Sequence, residues 1–370
     1  MMADEELMPA AEVASEKAKS EAAAASAEAS KALKTVGKWA ADFIDKPAPA
    51  LPVLLALRTK REDTEVLVAP QDAWMPAGRL GIVASPGGKG KTALLMHLAG
   101  HVAAGGKWCG LEVVESGAVA IVLGEEDLGE CHRRLKRAWE HMSPKARQDA
   151  AARTLVLPLA GTGDNRLVRE LPTGAEKSPR AEELMAYLRA EAPEGGWRLV
   201  VVDPFARFAG MNAETDNASA TSTMTALEEL TKLPGGPTVL VAHHTKKRGK
   251  DEGGMDLVEL VRGASAIKDA ARWVAMLDAD PPGEDGKGRA VLRVVKSNYT
   301  STAFGLEMET MYGAPTNGRP RLVAELDAEG DARKAAEVDA RKAAAADAKK
   351  ELKNKWTGAV ANESRGPGGT

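Results

Sequence analysis

A glycine-rich segment with two lysines and a threonine has the residue types needed to bind a phosphate chain. It reads Ser-Pro-Gly-Gly-Lys-Gly-Lys-Thr over residues 85–92 and lies between a strand-like and a helix-like run. Glycines let successive backbone N–H groups face one anion, because they accept positive φ and carry no side chain. We predict a P-loop in which Lys91 reaches the β- and γ-phosphates and the Thr92 hydroxyl ligates Mg²⁺. The predicted nucleotide contacts are Pro86, Gly87, Gly88, Lys89, Gly90, Lys91 and Thr92.

Ser85 departs from the usual P-loop pattern, which has glycine at that position. A dinucleotide-binding turn is the competing interpretation, because Gly88 and Gly90 have its first spacing. That turn also needs a third glycine and an acidic residue about 20 residues further on, and both are missing. A glycine-rich turn without a ligand would not need the charge and metal-ligand chemistry of Gly-Lys-Thr.

Acidic residues follow two apolar runs that are predicted to be strands. The run at 199–202 ends in Asp203, where an acid completes the Mg²⁺ shell of a P-loop ATPase. The run at 118–123 is expected beside the P-loop strand, and a carboxylate after it could orient the attacking water. Adjacent residues point in opposite directions, so at most one of Glu125 and Glu126 fits. The pattern does not choose between them, and both could instead lie in an exposed loop.

A histidine pair, His243 and His244, ends the strand-like run at 238–242. These imidazoles could hydrogen-bond a γ-phosphate and report its loss. The alternative is a metal site, but neighbouring strand residues face opposite sides and cannot easily share one ion. His97 and His101 share a helix face without a third ligand, so we interpret them as helix histidines near the core.

The segment after the histidines is basic and contains glycine. A loop of this kind could bind a nucleic-acid backbone without reading its sequence, because no aromatic residues are interleaved for base stacking. An ordinary surface loop is the alternative. The predicted nucleic-acid contacts are Lys246, Lys247, Arg248 and Lys250.

Residues 74–312 alternate between short continuous apolar runs and helix-like segments. Continuous apolarity indicates strands covered on both faces, so we predict an α/β fold with a mainly parallel central sheet flanked by helices. The runs are 118–123, 154–157, 199–202 and 238–242. Gly- and Pro-rich turns separate three later runs and predict a C-terminal hairpin region; these runs are 273–277, 291–295 and 304–308.

Both ends of the chain are predicted to be extensions of this core. Residues 1–46 are expected to be helical and partly disordered, either solvated or docked on a neighbouring subunit. Residues 47–73 are predicted to be a linker or docking segment, and 313–330 a loop. A repeat rich in Asp, Ala, Arg and Lys predicts a solvated charged helix over 331–356, followed by a disordered tail at 357–370.

Composition narrows the class of protein. The chain has 370 residues, a formal net charge of −3 and two cysteines. Two cysteines give no disulfide framework, which fits a reducing cytoplasm. The acidic start lacks the order of a signal peptide, and no apolar run has the roughly 18 residues of a membrane span. We therefore expect a cytoplasmic protein without membrane contact.

The order of these motifs resembles the RepA-type replicative hexameric helicases, a RecA-like P-loop ATPase family. The resemblance covers about residues 74–310 and extends past the histidines to Arg262-Gly-Ala-Ser, Ala271-Arg-Trp and Lys296-Ser-Asn-Tyr. Related helicases often carry arginine two residues after that lysine, whereas this chain has Asn298, as RepA-like members do. A small residue can replace the first P-loop glycine in this family, which accommodates the serine.

The resemblance implies a role for each matching residue. Glu126 would be the water-polarising carboxylate and Asp203 the acid of the Mg²⁺ shell. His244, together with His243, would sense the γ-phosphate. Two further cations would act on ATP bound to the next subunit: an arginine finger, Arg272, and a second trans-acting residue, Lys296.

The function implied is an ATP- and Mg²⁺-dependent motor that forms a hexameric ring and moves along single-stranded DNA, with a replication-initiation protein as a further partner. Two alternatives stay open. One is a regulatory or recombinase-type RecA-like ATPase without unwinding activity, and the other is a non-catalytic scaffold gated by nucleotide.

Overall fold

The computed structural model of the chain describes residues 52–57, 73–172, 174–245, 261, 263 and 265–363. Its strands are β1 (Val53–Ala56), β2 (Ala73–Pro76), β3 (Leu80–Ser85), β4 (Lys107–Trp108), β5 (Leu111–Val113), β6 (Ala118–Leu123), β7 (Thr154–Pro158), β8 (Val168–Leu171), β9 (Gly174–Lys177), β10 (Trp197–Asp203), β11 (Thr238–His244), β12 (Trp273–Ala279), β13 (Lys287–Ser297), β14 (Phe304–Met311) and β15 (Ala314–Leu322). Its helices are α1 (Lys91–Ala104), α2 (Leu128–Ala138), α3 (Pro144–Ala152), α4 (Pro179–Ala190), α5 (Phe205–Phe208), α6 (Asn217–Glu229), α7 (Ser265–Ala270) and α8 (Val323–Glu363), with a 3₁₀ turn at Leu230–Lys232.

A nine-stranded sheet in the order β15-β14-β13-β12-β3-β11-β10-β6-β7 organises the fold. The strands from β12 to β7 in that order run parallel to one another, whereas β13, β14 and β15 continue the sheet as antiparallel hairpins. The parallel strands are almost entirely buried, since helices cover both faces. The prediction of an α/β fold with a mainly parallel sheet and a C-terminal hairpin region is therefore confirmed.

The helices begin where the sequence supplies capping groups. Asp127 accepts a hydrogen bond from the Glu130 backbone N–H at the start of α2, and Asp216 does the same for Ser219 at the start of α6. Helices α3 and α4 each begin with a capping serine followed by proline, which suits the first helical position. No helix in the described ranges has the length and apolarity needed to cross a membrane.

A second, four-stranded sheet in the order β2-β1-β5-β4 packs beside the main one. Three buried tryptophans join the two sheets. Trp74 lies 5.1 Å from Trp273 and 6.1 Å from Trp108 between ring centroids, and the Trp273 indole N–H donates to the Trp74 carbonyl at 3.0 Å. This packing fixes the start of β12 against the region just before the P-loop strand.

Three sequence expectations differ from the structure. Strand β6 is not beside the P-loop strand, because β11 and β10 lie between them. The predicted loop at 313–330 is instead β15 followed by the first residues of α8, since pairing with β14 orders a polar segment that has little strand signal of its own. Helix α8 also extends to Glu363, into the predicted disordered tail. The N-terminal extension at 1–46 lies outside the described residues.

Candidate nucleotide-binding site

The P-loop connects the carboxyl end of β3 to the first residue of α1. Gly88 and Gly90 have φ of 75° and 84°, conformations that side chains disfavour, and they allow the chain to turn tightly into the helix. The Lys91 ammonium donates to the Ser85 carbonyl at 3.1 Å, the Ser85 hydroxyl at 3.1 Å and the Pro86 carbonyl at 3.2 Å. The serine that departs from the usual pattern thus supplies an extra acceptor for the phosphate-binding lysine.

Asp203 ends strand β10 next to the start of α1. It is 5% exposed, and its side chain is hydrogen-bonded to Thr92. Burial raises the pKa of Asp203, although the Thr92 hydrogen bond and the Lys91 charge act against this. Asp203 and Thr92, predicted to hold Mg²⁺, are therefore in contact.

Glu126 and Asp203 each have one buried carboxylate oxygen, Oε2 and Oδ2 respectively, without a hydrogen-bond partner among the described residues. Buried polar atoms normally have a partner, and carboxylate and hydroxyl oxygens are the ligands that Mg²⁺ prefers. The donor set of Thr92 and Asp203 fits this ion together with phosphate oxygens. No group of three or more His, Cys, Asp or Glu in the described part of the chain could hold a metal by itself.

Glu125 and Glu126 have different surroundings. Glu126 is 7% exposed, and its Oε1 lies 2.8 Å from Nη1 of Arg134 on helix α2. Burial raises the pKa of Glu126, and the Arg134 charge opposes this. Glu125 is exposed and pairs with Arg207 at 3.0 Å. Both carboxylates line the phosphate cavity, and the charge of Glu125 acts on Lys91, so burial separates the two residues but the geometry does not choose between them.

The two histidines at the end of β11 point in different directions, as alternation along a strand requires. His244 pairs with Ser85 in the sheet, and its Nδ1 lies 3.4 Å from the Lys91 ammonium. His243 is buried and packs against the Phe205 ring at 4.6 Å between centroids. His244 therefore adjoins the P-loop, whereas His243 belongs to the packing behind it.

His97 and His101 lie on α1 with ring centroids 4.6 Å apart. The Trp108 indole N–H donates to Nδ1 of His97 at 3.0 Å. Burial lowers the pKa of His97 to about 3, so this ring is neutral. Both residues are histidines of a helix that packs into the core, as predicted.

Two adjoining cavities flank the P-loop. The first has a volume of about 390 Å³, and its lining includes Lys91, Thr92, Glu126, Asp203 and His244. The second, of about 480 Å³, has a largely apolar lining that includes Leu94, Leu277, Pro282, Met308 and Tyr312. One cavity thus has the charged groups that a phosphate chain needs, and the other could accept a flat apolar group.

The sequence interpretation missed three residues of this site. Arg134 and Arg137 project from α2 into the phosphate cavity, and Tyr312 closes it from the turn between β14 and β15. The Arg137 guanidinium lies 5.2 Å from the centre of the Tyr312 ring. Arg134 could have been found from its spacing to Glu130, because the two form an i, i+4 pair on an amphipathic helix. Tyr312 had no comparable signal.

Arg272 and Lys296 lie at the opposite end of the sheet from the P-loop. The Arg272 backbone N–H donates to the Leu80 carbonyl at the first residue of β3, and Lys296 pairs with Val274 near the start of β12. Leu80 and Ser85 are five residue steps apart along β3, a distance of roughly 16 Å. Neither cation therefore joins the P-loop site of its own chain.

The predicted nucleic-acid contacts Lys246, Lys247, Arg248 and Lys250 lie outside the described residues. The residues that flank this segment are close together, because Thr245 and Val261 form an antiparallel β-bridge.

One protein family and one solved structure are similar to this chain. Residues 49–250 match the AAA_25 family, described as an AAA domain. Among solved structures, the crystal structure of the RadB recombinase is similar to this chain with 16% sequence identity and a TM-score of 0.42, over 66% of this chain and 90% of the recombinase chain. The family match spans more than half of the chain, so the protein belongs to the AAA_25 family of AAA domains.

Proposed function

We propose that this protein hydrolyses ATP with Mg²⁺ as a RecA-like motor, and that it works as a hexameric replicative helicase on single-stranded DNA. The observation that carries the proposal is the convergence of Lys91, Thr92, Asp203 and Glu126 on the lining of one cavity, where the two acids each have a buried carboxylate oxygen without a hydrogen-bond partner among the described residues. A bound triphosphate would give Lys91 anionic oxygens to contact, and its metal would give Thr92 and Asp203 an ion to ligate. The attacking water would give Glu126 a proton to accept.

Each residue has a distinct task in this proposal. Lys91 exchanges the carbonyls of its own loop for phosphate oxygens. Thr92 and Asp203 would hold Mg²⁺, which supplies positive charge to the phosphate oxygens. Glu126 orients the attacking water through Oε2, while Arg134 holds its other oxygen. The apolar cavity beside Tyr312 receives the nucleoside.

A ring is supported by the positions of the phosphate cavity and of the two predicted trans-acting cations, which lie at opposite edges of the main sheet. The phosphate cavity lies at the carboxyl edge, and Arg272 and Lys296 lie at the amino edge. A head-to-tail contact between copies would bring one edge against the other, and such a heterologous contact closes into a ring when the rotation permits. The arginine would then stabilise charge on the neighbour's phosphates during hydrolysis.

Coupling to DNA is supported by the position of His244. Its ring lies beside Lys91, and the chain continues from it into the basic segment through Thr245. A change in the histidine's contact with the γ-phosphate would act on that segment directly. Single-stranded DNA bound there would be held through its phosphates.

ATPase and strand-displacement assays on the full chain test the proposal. We expect ATP turnover that single-stranded DNA stimulates, strand displacement from a forked duplex, and a sixfold native mass with a non-hydrolysable ATP analogue. ATP turnover without displacement would support a regulatory or recombinase-type ATPase instead. Tight ATP binding without turnover would support a nucleotide-gated scaffold.

A further inference from the structure

The amino edge of the main sheet carries a further cation, Arg79, which is exposed and lies immediately before β3. Its guanidinium carbon lies 4.9 Å from the centre of the Tyr299 ring. A cation over an aromatic face is attracted to the ring, which favours one orientation of this long side chain. Arg79 is therefore held by the fold, unlike a freely solvated arginine.

Backbone hydrogen bonds place Arg79 beside the predicted arginine finger. Arg272 donates its N–H to the carbonyl of Leu80, the residue that follows Arg79, at 3.0 Å. The Arg272 carbonyl accepts from Asn298, the residue that precedes Tyr299, at 3.1 Å. The backbone of Arg272 is therefore hydrogen-bonded to Leu80, which follows Arg79, and to Asn298, which precedes Tyr299.

This edge has an excess of positive charge. Among the described residues, neither Arg79 nor Arg272 forms an ion pair with a carboxylate. The Lys296 ammonium donates to the carbonyls of Lys268 and Asp269 at 2.6 and 3.1 Å, at the end of α7. Burial lowers the pKa of Lys296, the Asp269 carboxylate opposes this, and the Arg272 charge lowers it further. Lys296 therefore lies near Asp269 and Arg272, and the exposed Arg79 adds positive charge elsewhere on the same edge.

We propose that Arg79, oriented by Tyr299, contacts the phosphate groups of the nucleotide bound to a neighbouring copy of this chain. The partner is a second copy that presents its triphosphate-loaded carboxyl edge, which the proposed head-to-tail ring would place against this amino edge. This inference rests on the proposed function, because it needs hydrolysis at a shared site. It adds a residue to that site that neither motif spacing nor the resemblance indicated.

Four variants separate this role from a structural one. Arg79→Ala should lower kcat for ATP about tenfold while the Kd for ATP changes less than twofold, because the cation acts from outside the binding chain. Tyr299→Phe keeps the ring and should turn over at the normal rate, whereas Tyr299→Leu should lose part of the rate. Arg198→Ala is the matched control, since Arg198 lies at the same edge on β10 but has an acidic partner, Glu115.

Mixing variants tests whether Arg79 acts across the interface. Arg79→Ala subunits have an intact P-loop, and Lys91→Ala subunits have an intact amino edge, so a mixed ring should hydrolyse more ATP than the two separate rings combined. A normal rate in Arg79→Ala alone would overturn the proposal. If Lys91→Ala restores activity when it is mixed with Arg272→Ala, but not when it is mixed with Arg79→Ala, the proposal for Arg79 is overturned and the proposed function stands. If neither mixture hydrolyses ATP faster than the sum of its two components, the site shared between subunits is itself contradicted.

Discussion

Replacing Glu126 by glutamine changes one atom at the point where the attacking water is expected. The amide oxygen can still accept from Arg134, which now contacts Oε1 at 2.8 Å, so the cavity should keep its shape. The group that faces the phosphate loses its charge and its ability to accept a proton. A positioned general base contributes about 10²–10⁴-fold to a rate. We therefore expect kcat to fall by that factor, or about 2.7–5.5 kcal/mol of transition-state stabilisation.

The assay is steady-state ATP turnover together with binding of a fluorescent ATP analogue, for the normal chain, Glu126→Gln and Glu125→Gln. Glu125 also lines the cavity, but it is exposed and pairs with Arg207, and the resemblance assigns the catalytic role to Glu126. The Glu125 variant should therefore keep the rate within about threefold, the effect of a surface ion pair. ATP binding should be unchanged in both. Normal turnover by Glu126→Gln, or a collapse in Glu125→Gln instead, would refute the reasoning.

The same residue predicts a pH dependence. Burial raises the pKa of Glu126 above the ordinary value of 4.5, with Arg134 opposing this. The base is active when ionised, so turnover should fall as the pH drops through a value above 4.5. This acidic limb should be absent from the residual rate of Glu126→Gln. A limb that persists unchanged in the variant would assign the titration to another group.

Two further predictions concern nucleotide binding and stability. Lys91→Ala should weaken ATP binding or abolish hydrolysis, because it removes the P-loop cation that is expected to reach the β- and γ-phosphates. Calorimetric binding that matches the normal chain, with normal turnover, would contradict this. Glu307→Gln should destabilise the hairpin region at pH 7 and much less near pH 2. Burial would raise the pKa of Glu307, but hydrogen bonds from Arg289, Arg319 and Arg321 lower it to about 2, so its contribution is present above pH 4.5 and disappears as the pH falls towards 2. Urea unfolding at both pH values measures this, and an equal loss at both would refute it.

The elements around the P-loop were predictable because their signals are local. Two such signals are the glycine at the start of α1, Gly90, and the apolar runs that end in Asp203 and His244. Each can be recognised from residues that are close together in the sequence. The carboxyl ends of parallel strands meet at one edge, so the site residues converge once the strands are recognised.

The parts that were missed depend on long-range pairing. Strand β15 contains proline, glycine and alternating polar residues, and it is ordered by β14. The position of β6, two strands away from β3, follows from crossover topology, which periodicity does not reveal. Tyr312 has a φ of 49° in a turn of that hairpin, and only the hairpin brings it over the P-loop.

Mixing two inactive variants tests the central claim most directly, because the claim is that ATP bound near Lys91 of one subunit is cleaved with the help of Arg272 from another. Arg272→Ala and Lys91→Ala should each hydrolyse ATP poorly as pure oligomers while Arg272→Ala still binds it. We predict that the mixture hydrolyses ATP faster than the sum of its parts, because each hybrid interface pairs an intact P-loop with an intact arginine. A mixture that assembles but shows only the summed rate, or full activity in pure Arg272→Ala, would contradict the account.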